Sequence, residues 1–255
     1  MIRDNIVKRK MHNGEKSFGA WLHLCSGMSA EIMGDAGFDW ILIDMEHGHG
    51  DLQTLMSQLQ GMSTSTSIPI VRAPWNDVVM IKRILDMGVY GVMIPWINTK
   101  AEAESAVQAC KYPPDGVRGV ARNIRATAYG RDFPEYTHRA NDEVMIIAQI
   151  ETTTAVNNID EILSVPGIDV VFIGPSDLSA SMNLMGQYDH PDLLKAISTV
   201  KTAAENHHVA LGTLCTSIEQ LTTLAGEGYQ FLSMGSDAAF VVQKSSELAE
   251  MYRNI

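Results

Sequence analysis

The sequence predicts an α/β protein of the (β/α)8 TIM-barrel class, because short apolar runs alternate with helix-like segments along almost the whole chain. Eight runs, helical connections between them and a helix after the last run match the elements of such a barrel. The runs are apolar nearly throughout, as expected for parallel strands that are covered on both faces. An open doubly wound sheet is the alternative, but no glycine-rich fingerprint follows the first run.

Apolar runs, caps and glycines assign the elements in chain order. The predicted strands are Phe18–Leu24, Trp40–Met45, Ile68–Arg72, Gly91–Pro95, Val144–Glu151, Val170–Ile173, Ala210–Leu214 and Phe231–Met234. The predicted helices are Asp51–Gly61, Asp77–Gly88, Lys100–Tyr112, Thr154–Val165, Pro191–His207, Ser217–Gly228 and Asp237–Arg253. The longest irregular piece, Pro113–Glu143, lies between the fourth and fifth strands, and we expect it on the active face of the barrel.

The size and charge of the chain narrow its class. Its 255 residues suffice for one barrel domain, residues 1–255, and no linker divides them. The net charge of −11 argues against nucleic acid and against anionic membrane surfaces as partners. No run approaches the ~20 apolar residues of a membrane span. The chain starts without the apolar core of a signal peptide, and its three separated cysteines favour reduced thiols, so we expect a cytoplasmic protein.

Polar residues gather where the second and third predicted strands end. The stretch FDWILIDMEHGHG, residues 38–50, changes from an apolar run to Asp44, Glu46 and His47. In a barrel the carboxyl ends of the strands carry the catalytic groups, and a histidine beside carboxylates is suited to general acid–base work. Arg72 ends the third run, whose other members are apolar, so its guanidinium needs an anionic partner. That partner is either the substrate or one of the two nearby acids.

A second polar set follows the fifth and sixth predicted strands. Gln149 and Glu151 share one face of their strand, and the sixth strand runs into Gly174, Ser176 and Asp177. Two carboxylates from adjacent strands can hold a hard divalent cation and leave positions open for water and substrate oxygens. The alternative for Asp177 is a helix cap. The backbone N–H groups of this GPSD segment are also suited to binding a carboxylate.

Other residue patterns keep further functions open. His47 and His49 form an H-x-H pair that, with Asp237, suggests a metal-dependent hydrolase, although the later strands end in acids rather than the histidines that such a site needs. No predicted strand contains a lysine, which argues against a Schiff-base aldolase. Five arginines between positions 118 and 139 would suit an anionic substrate, or equally a solvated loop or a subunit contact.

The combined motifs resemble the HpcH/HpaI aldolase family, specifically its metal-dependent pyruvate aldolases. The segments that carry the resemblance are GFDWILIDMEHG, PIVRAPWND, IKRILDMGVYGVMIPWINT, YPPDGVRGV, QIET and VPGIDVVFIGPSDLSASM. They occur in order from about Phe18 to Gly235. The resemblance implies a (β/α)8 barrel that cleaves 4-hydroxy-2-oxo acids to pyruvate and an aldehyde, through an enolate stabilised by Mg²⁺, Mn²⁺ or Co²⁺.

The resemblance also implies a role for each matching residue. Glu151 of QIET and Asp177 of GPSDL are the expected metal ligands, and His47 of MEHG is the expected acid/base. Asp86 of ILDMG is expected to raise the basicity of His47, and Asp44 to order metal-bound water. The expected groups around the substrate are Arg72, which stabilises the enolate, and Gln149, Gly174 and Ser176, which bind pyruvate oxygens.

The resemblance also implies an oligomeric assembly, and it leaves alternative functions open. Family members form homo-oligomers, commonly hexamers, in which the last helix, about residues 238–253, packs on a neighbouring subunit. An oxaloacetate-type decarboxylase would use the same site and enolate, and the metal-dependent hydrolase is the rival from another class. A scaffold protein built on a silent barrel is the remaining alternative.

Overall fold

The structure, a computed structural model that describes residues 4–253, is a closed barrel of eight parallel strands in chain order. The strands are β1 Ser17–Leu22, β2 Trp40–Asp44, β3 Ile68–Arg72, β4 Gly91–Ile94, β5 Met145–Ile150, β6 Val170–Ile173, β7 Ala210–Cys215 and β8 Phe231–Ser236. The barrel closes through parallel pairing of β1 with β8. The predicted fold class is therefore confirmed.

Helices surround the barrel and close its lower end. They are α1 Ile6–His12, α2 Gly27–Gly34, α3 Leu52–Gly61, α4 Val78–Asp86, α5 Lys100–Cys110, α6 Phe133–Glu143, α7 Thr153–Asn157, α8 Ile159–Leu163, α9 Pro175–Ser181, α10 Pro191–His207, α11 Ile218–Gly226 and α12 Asp237–Arg253. The sequence analysis missed α1, α2, α6 and α9, and it joined α7 and α8 into one helix. No helix among residues 4–253 is long and apolar enough to cross a membrane.

Large aromatic side chains fill the barrel interior. The rings of Trp40 and Phe231 stack with centroids 4.0 Å apart, and Phe172 meets Phe231 edge-on. A Cβ atom at Gly19 would lie 2.1 Å from the Trp40 ring, so only glycine leaves room for that indole. This packing is a filled core rather than a pore, and it leaves only the upper end of the barrel open for a ligand.

Helix α1 lies across the amino ends of the strands. Its Val7 and Met11 are buried against the barrel interior, and Lys8 Nζ donates to the carbonyl oxygen of Val144 at 2.8 Å. The same ammonium lies 3.2 Å from Asp169, the residue that precedes β6. These contacts block the lower end, so the open end is the one where the strands terminate.

The segment 113–143 lies at this lower end, and the prediction that it covers the active face is wrong. It follows helix α5, and a chain that has run down the outside of the barrel must turn below the sheet before it enters β5. Asn5 Nδ2, next to α1, donates to the carbonyl oxygen of Glu143 at 2.9 Å. The physical reason is topological: residues after a strand lie above the barrel, and residues after a helix lie below it.

Three of the five arginines of this segment make structural contacts within the chain, and the other two, Arg122 and Arg131, are exposed. The Arg118 guanidinium is buried, donates to Asp86 at 2.9 Å and packs over the ring of Tyr112. Arg125 donates to two backbone carbonyl oxygens, those of Met87 and Leu59, at 2.7 and 3.0 Å. Arg139 pairs with Glu143 at 2.6 Å. The expectation that these side chains suit an anionic substrate is therefore not supported within one chain.

Candidate active site

A cavity of about 950 Å³ opens at the carboxyl ends of the strands. Its lining includes predicted site residues from four strand ends or the segments that follow them: His47, Arg72, Gln149, Gly174, Ser176 and Asp177. Residues from β7, β8 and the first turns of α11 and α12 complete the other side of the cavity. The barrel thus brings together side chains that are up to 130 positions apart in the sequence, from His47 to Asp177.

Charged side chains at the ends of β2 and β3 form ion pairs with one another. Asp44 and Arg72 are paired neighbours in the sheet. Arg72 Nε donates to Asp44 Oδ1 at 2.9 Å, and its Nη2 donates to Oδ2 at 2.7 Å, a bidentate pair in which both side chains are buried. Arg72 Nη1 also lies 3.0 Å from Glu46 Oε2. The guanidinium therefore has its anionic partners within the chain, and its remaining edge faces the cavity.

These contacts determine the protonation of the two acids. Burial by itself would raise the pKa of Asp44, but hydrogen bonds from His23 and Arg72 outweigh burial and hold that pKa well below its usual range. Burial raises the pKa of Glu46, and the Arg72 charge opposes that rise. Asp44 is therefore a permanent carboxylate whose main contact is Arg72.

His23 is a site residue that the sequence analysis missed. It follows β1, lines the cavity, and its Nε2 lies 3.1 Å from Asp44 Oδ2. The ring of Trp21, also in the cavity lining, lies under the Arg72 guanidinium with 4.6 Å between the ring centroid and Cζ. The signal in the sequence is a histidine near the carboxyl end of the first predicted strand, Phe18–Leu24.

His47 lies in the loop after β2 with its side chain largely free. The imidazole is 65% exposed, and its nearest charged partner is Glu46, with 3.9 Å between Nε2 and Oε2. Its backbone N–H points to Asp44 Oδ1 at 3.4 Å, so the loop is anchored to the same acid that orients Arg72. The ring can reach a ligand in the cavity without first breaking a hydrogen bond.

The ends of β5 and β6 carry acids without a cation. Glu151 is 1% exposed, and its Oε1 accepts the backbone N–H of Trp96 at 2.9 Å while its Oε2 accepts Gln149 Nε2 at 2.6 Å. Gln149 Oε1 is buried and has no hydrogen-bond partner among residues 4–253. Gly174 allows this close approach, because a Cβ atom there would lie 2.9 Å from Glu151 Oε2.

The electrostatics of this edge differ from those at Asp44. The pKa of Glu151 is raised to about 7: burial is the main cause, the negative charges of Glu46 and Asp177 act in the same direction, and the Trp96 hydrogen bond and the Arg72 charge oppose them. Asp177 lies in the first turn of α9, lines the cavity and accepts no hydrogen bond from the residues at 4–253. The alternative in which Asp177 caps the helix is therefore not observed.

The donor set at β5 and β6 fits a divalent cation. Two carboxylates with excess negative charge and one unpartnered amide oxygen are the hard oxygen ligands that Mg²⁺ and Mn²⁺ take, with water and substrate supplying the rest. Between positions 4 and 253, no group of three or more histidine, cysteine or acidic side chains is arranged to hold a metal ion. A site of this kind would therefore depend on ligand oxygens from outside the protein.

The structure separates Asp86 from His47, which corrects one prediction for a single chain. Asp86 ends α4 at the lower end of the barrel, and its carboxylate accepts Arg118 Nη2 at 2.9 Å. His47 follows a strand at the upper end. A helix that follows β3 carries its last residue down to the start of β4, so the two side chains cannot pair within one chain.

The residues that a metal-dependent hydrolase would need do not lie together in the cavity. His49 is exposed and does not belong to the cavity lining. Asp237 is buried, and its carboxylate accepts the backbone N–H of His23 at 2.8 Å and the Ser29 hydroxyl at 2.6 Å. Asp237 therefore anchors the loop after β1 instead of activating water.

Comparisons with known proteins agree on one family. A family model described as HpcH/HpaI aldolase/citrate lyase matches residues 17–243. The 4-hydroxy-2-oxo-heptane-1,7-dioate aldolase of Escherichia coli is 37% identical over 249 residues, which cover 98% of this chain and 95% of that protein. The 5-keto-4-deoxy-D-glucarate aldolase of Shigella dysenteriae serotype 1 is 36% identical, with coverage of 98% and 97%.

A solved structure is similar over the same length. The crystal structure of an HpcH/HpaI aldolase/citrate lyase family protein from Burkholderia cenocepacia J2315 superposes with a TM-score of 0.94 at 33% identity. The match covers 98% of this chain and 99% of that one. The similarity therefore includes the whole barrel and every strand end described above.

Proposed function

The chain belongs to the HpcH/HpaI aldolase/citrate lyase family and is therefore a carbon–carbon lyase, and we propose that it cleaves 4-hydroxy-2-oxo acids to pyruvate and an aldehyde with the help of a divalent metal ion. The observation that supports this proposal best is the pairing of two opposite environments in one cavity. Gln149 and Asp177 line the cavity together with Arg72, whose guanidinium is held by its own acids, and the buried Glu151, which is not itself part of the lining, accepts a hydrogen bond from Gln149.

Glu151 and Asp177 are the groups that would hold the metal ion. Glu151 is oriented by two hydrogen bonds, whereas Asp177 is brought to the cavity by the first turn of α9 and its carboxylate accepts no hydrogen bond from residues 4–253. A divalent ion, when bound, supplies Lewis-acid polarisation of the oxygens of a 2-oxo acid. Its identity among Mg²⁺, Mn²⁺ and Co²⁺ belongs to the proposal.

Arg72 stabilises negative charge in the pyruvate half of the substrate. When the C3–C4 bond breaks, its electron pair remains with C3 and is delocalised onto the neighbouring keto oxygen. A guanidinium held by Asp44 and Glu46 needs no reorganisation to meet that charge, which is the condition for effective electrostatic catalysis. Gln149, whose Oε1 has no protein partner, helps to define the position of the 2-oxo acid.

His47 is the proposed acid/base group. Its imidazole accepts the proton of the 4-hydroxyl group as C4 becomes the aldehyde carbon. A proton is returned to C3 after the aldehyde has left, which completes the conversion to pyruvate. The side chain is suited to this exchange because it borders the cavity, is largely exposed and has no hydrogen bond from its ring.

Exchange of the pyruvate methyl protons in D₂O, followed by NMR, tests this proposal without an aldehyde. Protein stripped with a chelator is compared with protein to which Mg²⁺, Mn²⁺ or Co²⁺ has been restored. We expect exchange that depends on the metal, because enolisation of pyruvate is half of the proposed reaction. Absence of exchange with all three ions would rule out pyruvate as the product.

Assembly into a homo-oligomer is part of the proposal. Helix α12 buries only Asp237, its first residue, and leaves five large apolar side chains exposed. These side chains are Val241, Val242, Leu248, Met251 and Tyr252. A contiguous apolar surface of this kind marks a protein contact, and we propose a hexamer in which α12 packs on a neighbour. Light scattering of the purified protein measures the state directly, and a monomer would contradict the proposal.

The cysteines support a reducing compartment such as the cytoplasm. Cys25, Cys110 and Cys215 are free, and burial raises the pKa of the Cys110 and Cys215 thiols to about 12 and about 11. Thiols of this kind pack as small apolar side chains. They contribute to the fold only while they stay reduced.

A further inference from the structure

The segment between β4 and α5 contains a backbone conformation that a large side chain rarely adopts. Trp96 follows Pro95 just after β4, and its φ of 56° lies in the left-handed region. Glycine adopts this region freely and asparagine tolerates it, whereas a bulky residue there is an outlier. Strain of this kind is retained only where surrounding contacts enforce it, and it is concentrated at functional sites.

This turn directs one backbone donor at the buried acid of the site. Trp96 N–H donates to Glu151 Oε1 at 2.9 Å, although the two residues are 55 positions apart in the sequence. The other oxygen of the same carboxylate, Oε2, accepts Gln149 Nε2 at 2.6 Å. One oxygen of Glu151 is therefore held by a side chain of β5, and the other by the backbone of the segment after β4.

The chain bonds to β5 again directly after the turn. Ile97 N–H donates to the carbonyl oxygen of Gln149 at 3.3 Å. Two successive N–H groups, those of Trp96 and Ile97, thus bond to two different groups at the end of β5. The relative direction of two successive N–H groups depends on the φ and ψ angles of the first residue, because those are the only soft torsions between them. The left-handed conformation of Trp96 therefore allows both bonds to form together.

Asn98 and Trp75 hold the turn in this conformation. Asn98 Nδ2 donates to the carbonyl oxygen of Trp96 at 2.9 Å, and Asn98 Oδ1 accepts the Thr152 hydroxyl. Thr152 is the residue after Glu151, so Asn98 connects the turn to the segment that carries the acid. The rings of Trp96 and Trp75 lie with their centroids 6.3 Å apart, within the range of favourable aromatic pairs. These contacts offset the cost of the left-handed backbone.

From this geometry we propose that Trp96 is a positioning residue, whose left-handed backbone holds the Glu151 carboxylate in one orientation before the metal ion binds. The inference rests on the proposed function, because it takes Glu151 as a metal ligand. A carboxylate has about four lone-pair sites, so two hydrogen bonds leave sites for an ion. Loss of a contact that orients a metal ligand typically costs about 10- to 100-fold in metal affinity.

Two substitutions at position 96 separate the role of the backbone from that of the indole. Trp96→Asn and Trp96→Val both remove the ring contact with Trp75, but asparagine tolerates the left-handed region and the β-branched valine opposes it. Calorimetry on the full-length protein measures the Mn²⁺ affinity. We expect it to stay within about threefold of the parent value in Trp96→Asn and to fall by about tenfold or more in Trp96→Val. Lost packing would affect both variants alike.

Exchange of the pyruvate methyl protons at increasing Mn²⁺ concentration distinguishes weakened metal binding from a damaged site. In Trp96→Val the Mn²⁺ concentration for half-maximal exchange should rise by about tenfold or more, while the rate at saturating Mn²⁺ should recover to within about threefold of the parent rate. A rate that stayed low at saturating metal would overturn the assignment, because the defect would then lie outside metal binding.

Asn98→Ala replaces Trp96→Val in these measurements if the valine variant does not fold. It removes the side-chain bonds to Trp96 and Thr152 and leaves position 96 unchanged. We expect the Mn²⁺ affinity to fall by about tenfold. An affinity equal to that of the parent protein would contradict the role of the turn.

His208 provides a matched control pair. It has the same φ of 56°, is exposed and caps the carboxyl end of α10 on the outside of the barrel. Urea unfolding should show that valine is less stable than asparagine at both positions, because the backbone conformation is the same. The Mn²⁺ affinity of His208→Asn and His208→Val should equal that of the parent protein. A fall in His208→Val as large as that in Trp96→Val would attribute the effect to general destabilisation and overturn the proposal.

The outcomes separate this inference from the proposed function. If the parent protein shows metal-dependent exchange but Trp96→Asn and Trp96→Val have equal Mn²⁺ affinity, the aldolase function stands and the positioning role is overturned. If the two variants differ as expected but the parent protein exchanges no pyruvate protons, the positioning role stands and pyruvate is removed as the product. If the parent protein binds no divalent ion, both proposals fail.

Discussion

Two edges of the upper end of the barrel, one at β2 and β3 and the other at β5 and β6, differ in how their charged side chains are paired. At β2 and β3, Arg72 pairs with both Asp44 and Glu46, and Asp44 stays ionised far below its usual pKa. Glu46 Oε2 makes no hydrogen bond within residues 4–253, and burial raises the pKa of Glu46. At β5 and β6, Glu151 is buried beside further negative charge, with its pKa raised to about 7, and Gln149 Oε1 has no partner. The first edge contains its own cation, Arg72. At the second edge, under the proposed function, a metal ion would take that place.

This difference indicates that the two edges have different roles in the site. A buried ion pair with good geometry holds its members in place, which suits a group such as Arg72 that must be ready before the substrate arrives. A buried acid without a cation is costly for the folded protein, and under the proposed function the binding of a metal ion would offset that cost. The predictions below, on four variants, test this difference, from the largest expected effect to the smallest.

Glu151→Gln should have the largest effect on activity. We expect metal-dependent cleavage to fall by about a thousandfold, because the substitution removes a carboxylate from the proposed metal site. Titration with Mn²⁺ followed by calorimetry measures the accompanying loss of binding. Glu205→Gln, on the exposed face of α10, is the matched control and should keep both the cleavage activity and the Mn²⁺ affinity of the parent protein. Unchanged Mn²⁺ affinity in Glu151→Gln would remove Glu151 from the proposed metal site.

The stability of Glu151→Gln gives a second test of the difference between the two edges. The pKa of Glu151 in the folded protein, about 7, lies above its ordinary value of 4.5. Ionisation of this group therefore lowers the stability of the metal-free protein progressively as the pH rises from 4.5 to about 7, and the full cost remains above about 7. Metal-free Glu151→Gln should for this reason be at least as stable as the parent protein at about pH 8 in urea unfolding.

Arg72→Gln should have the opposite effect on stability. It leaves two buried acids without their cation, so we expect the free energy of unfolding of the metal-free protein to fall by about 3 kcal/mol. Urea unfolding followed by circular dichroism measures the change. Arg83→Gln, an exposed arginine on α4, is the matched control. Equal stability of Arg72→Gln and the control would mean that the first edge is not held together by this guanidinium.

His47→Ala should separate catalysis from binding. We expect cleavage to fall by about a hundredfold, because a general acid/base group is lost, while Mn²⁺ affinity stays within about twofold of the parent value. His49→Ala, two positions further along the same loop, is the matched control and should retain activity. If His49→Ala lost activity and His47→Ala did not, the acid/base role would have to be reassigned.

Asp44→Asn should show the smallest effect, and that effect should depend on pH. Because the pKa of Asp44 is lowered in the folded protein, its carboxylate contributes stability that is fully present above the ordinary value of 3.8 and is lost as the pH falls below it. We expect the variant to be less stable by about 2 kcal/mol near pH 7. The difference in urea midpoint should shrink when the pH is lowered from about 6 to about 3.5. A difference that did not vary with pH would point to lost packing instead of lost charge.

The sequence by itself determined the barrel and most of the strand ends. Apolar runs of the right length, separated by capped helices, leave few other folds, and Ile68–Arg72 and Val170–Ile173 were predicted to the residue. It also indicated that Asp44, Arg72, Glu151 and Asp177 would meet, because the carboxyl ends of parallel strands share one end of a barrel. These conclusions follow from local periodicity and from topology, which a sequence carries directly.

Only the tertiary structure decided how those residues are paired and which nearby residues are excluded. It placed Asp86 and the arginines of the segment 113–143 at the lower end of the barrel. It also added His23 to the site and showed that Arg72 is shared by Asp44 and Glu46. It brought residues from the ends of β7 and β8 into the same cavity. Pairing, burial and the resulting pKa values depend on contacts between distant segments, and periodicity within one segment contains no information about them.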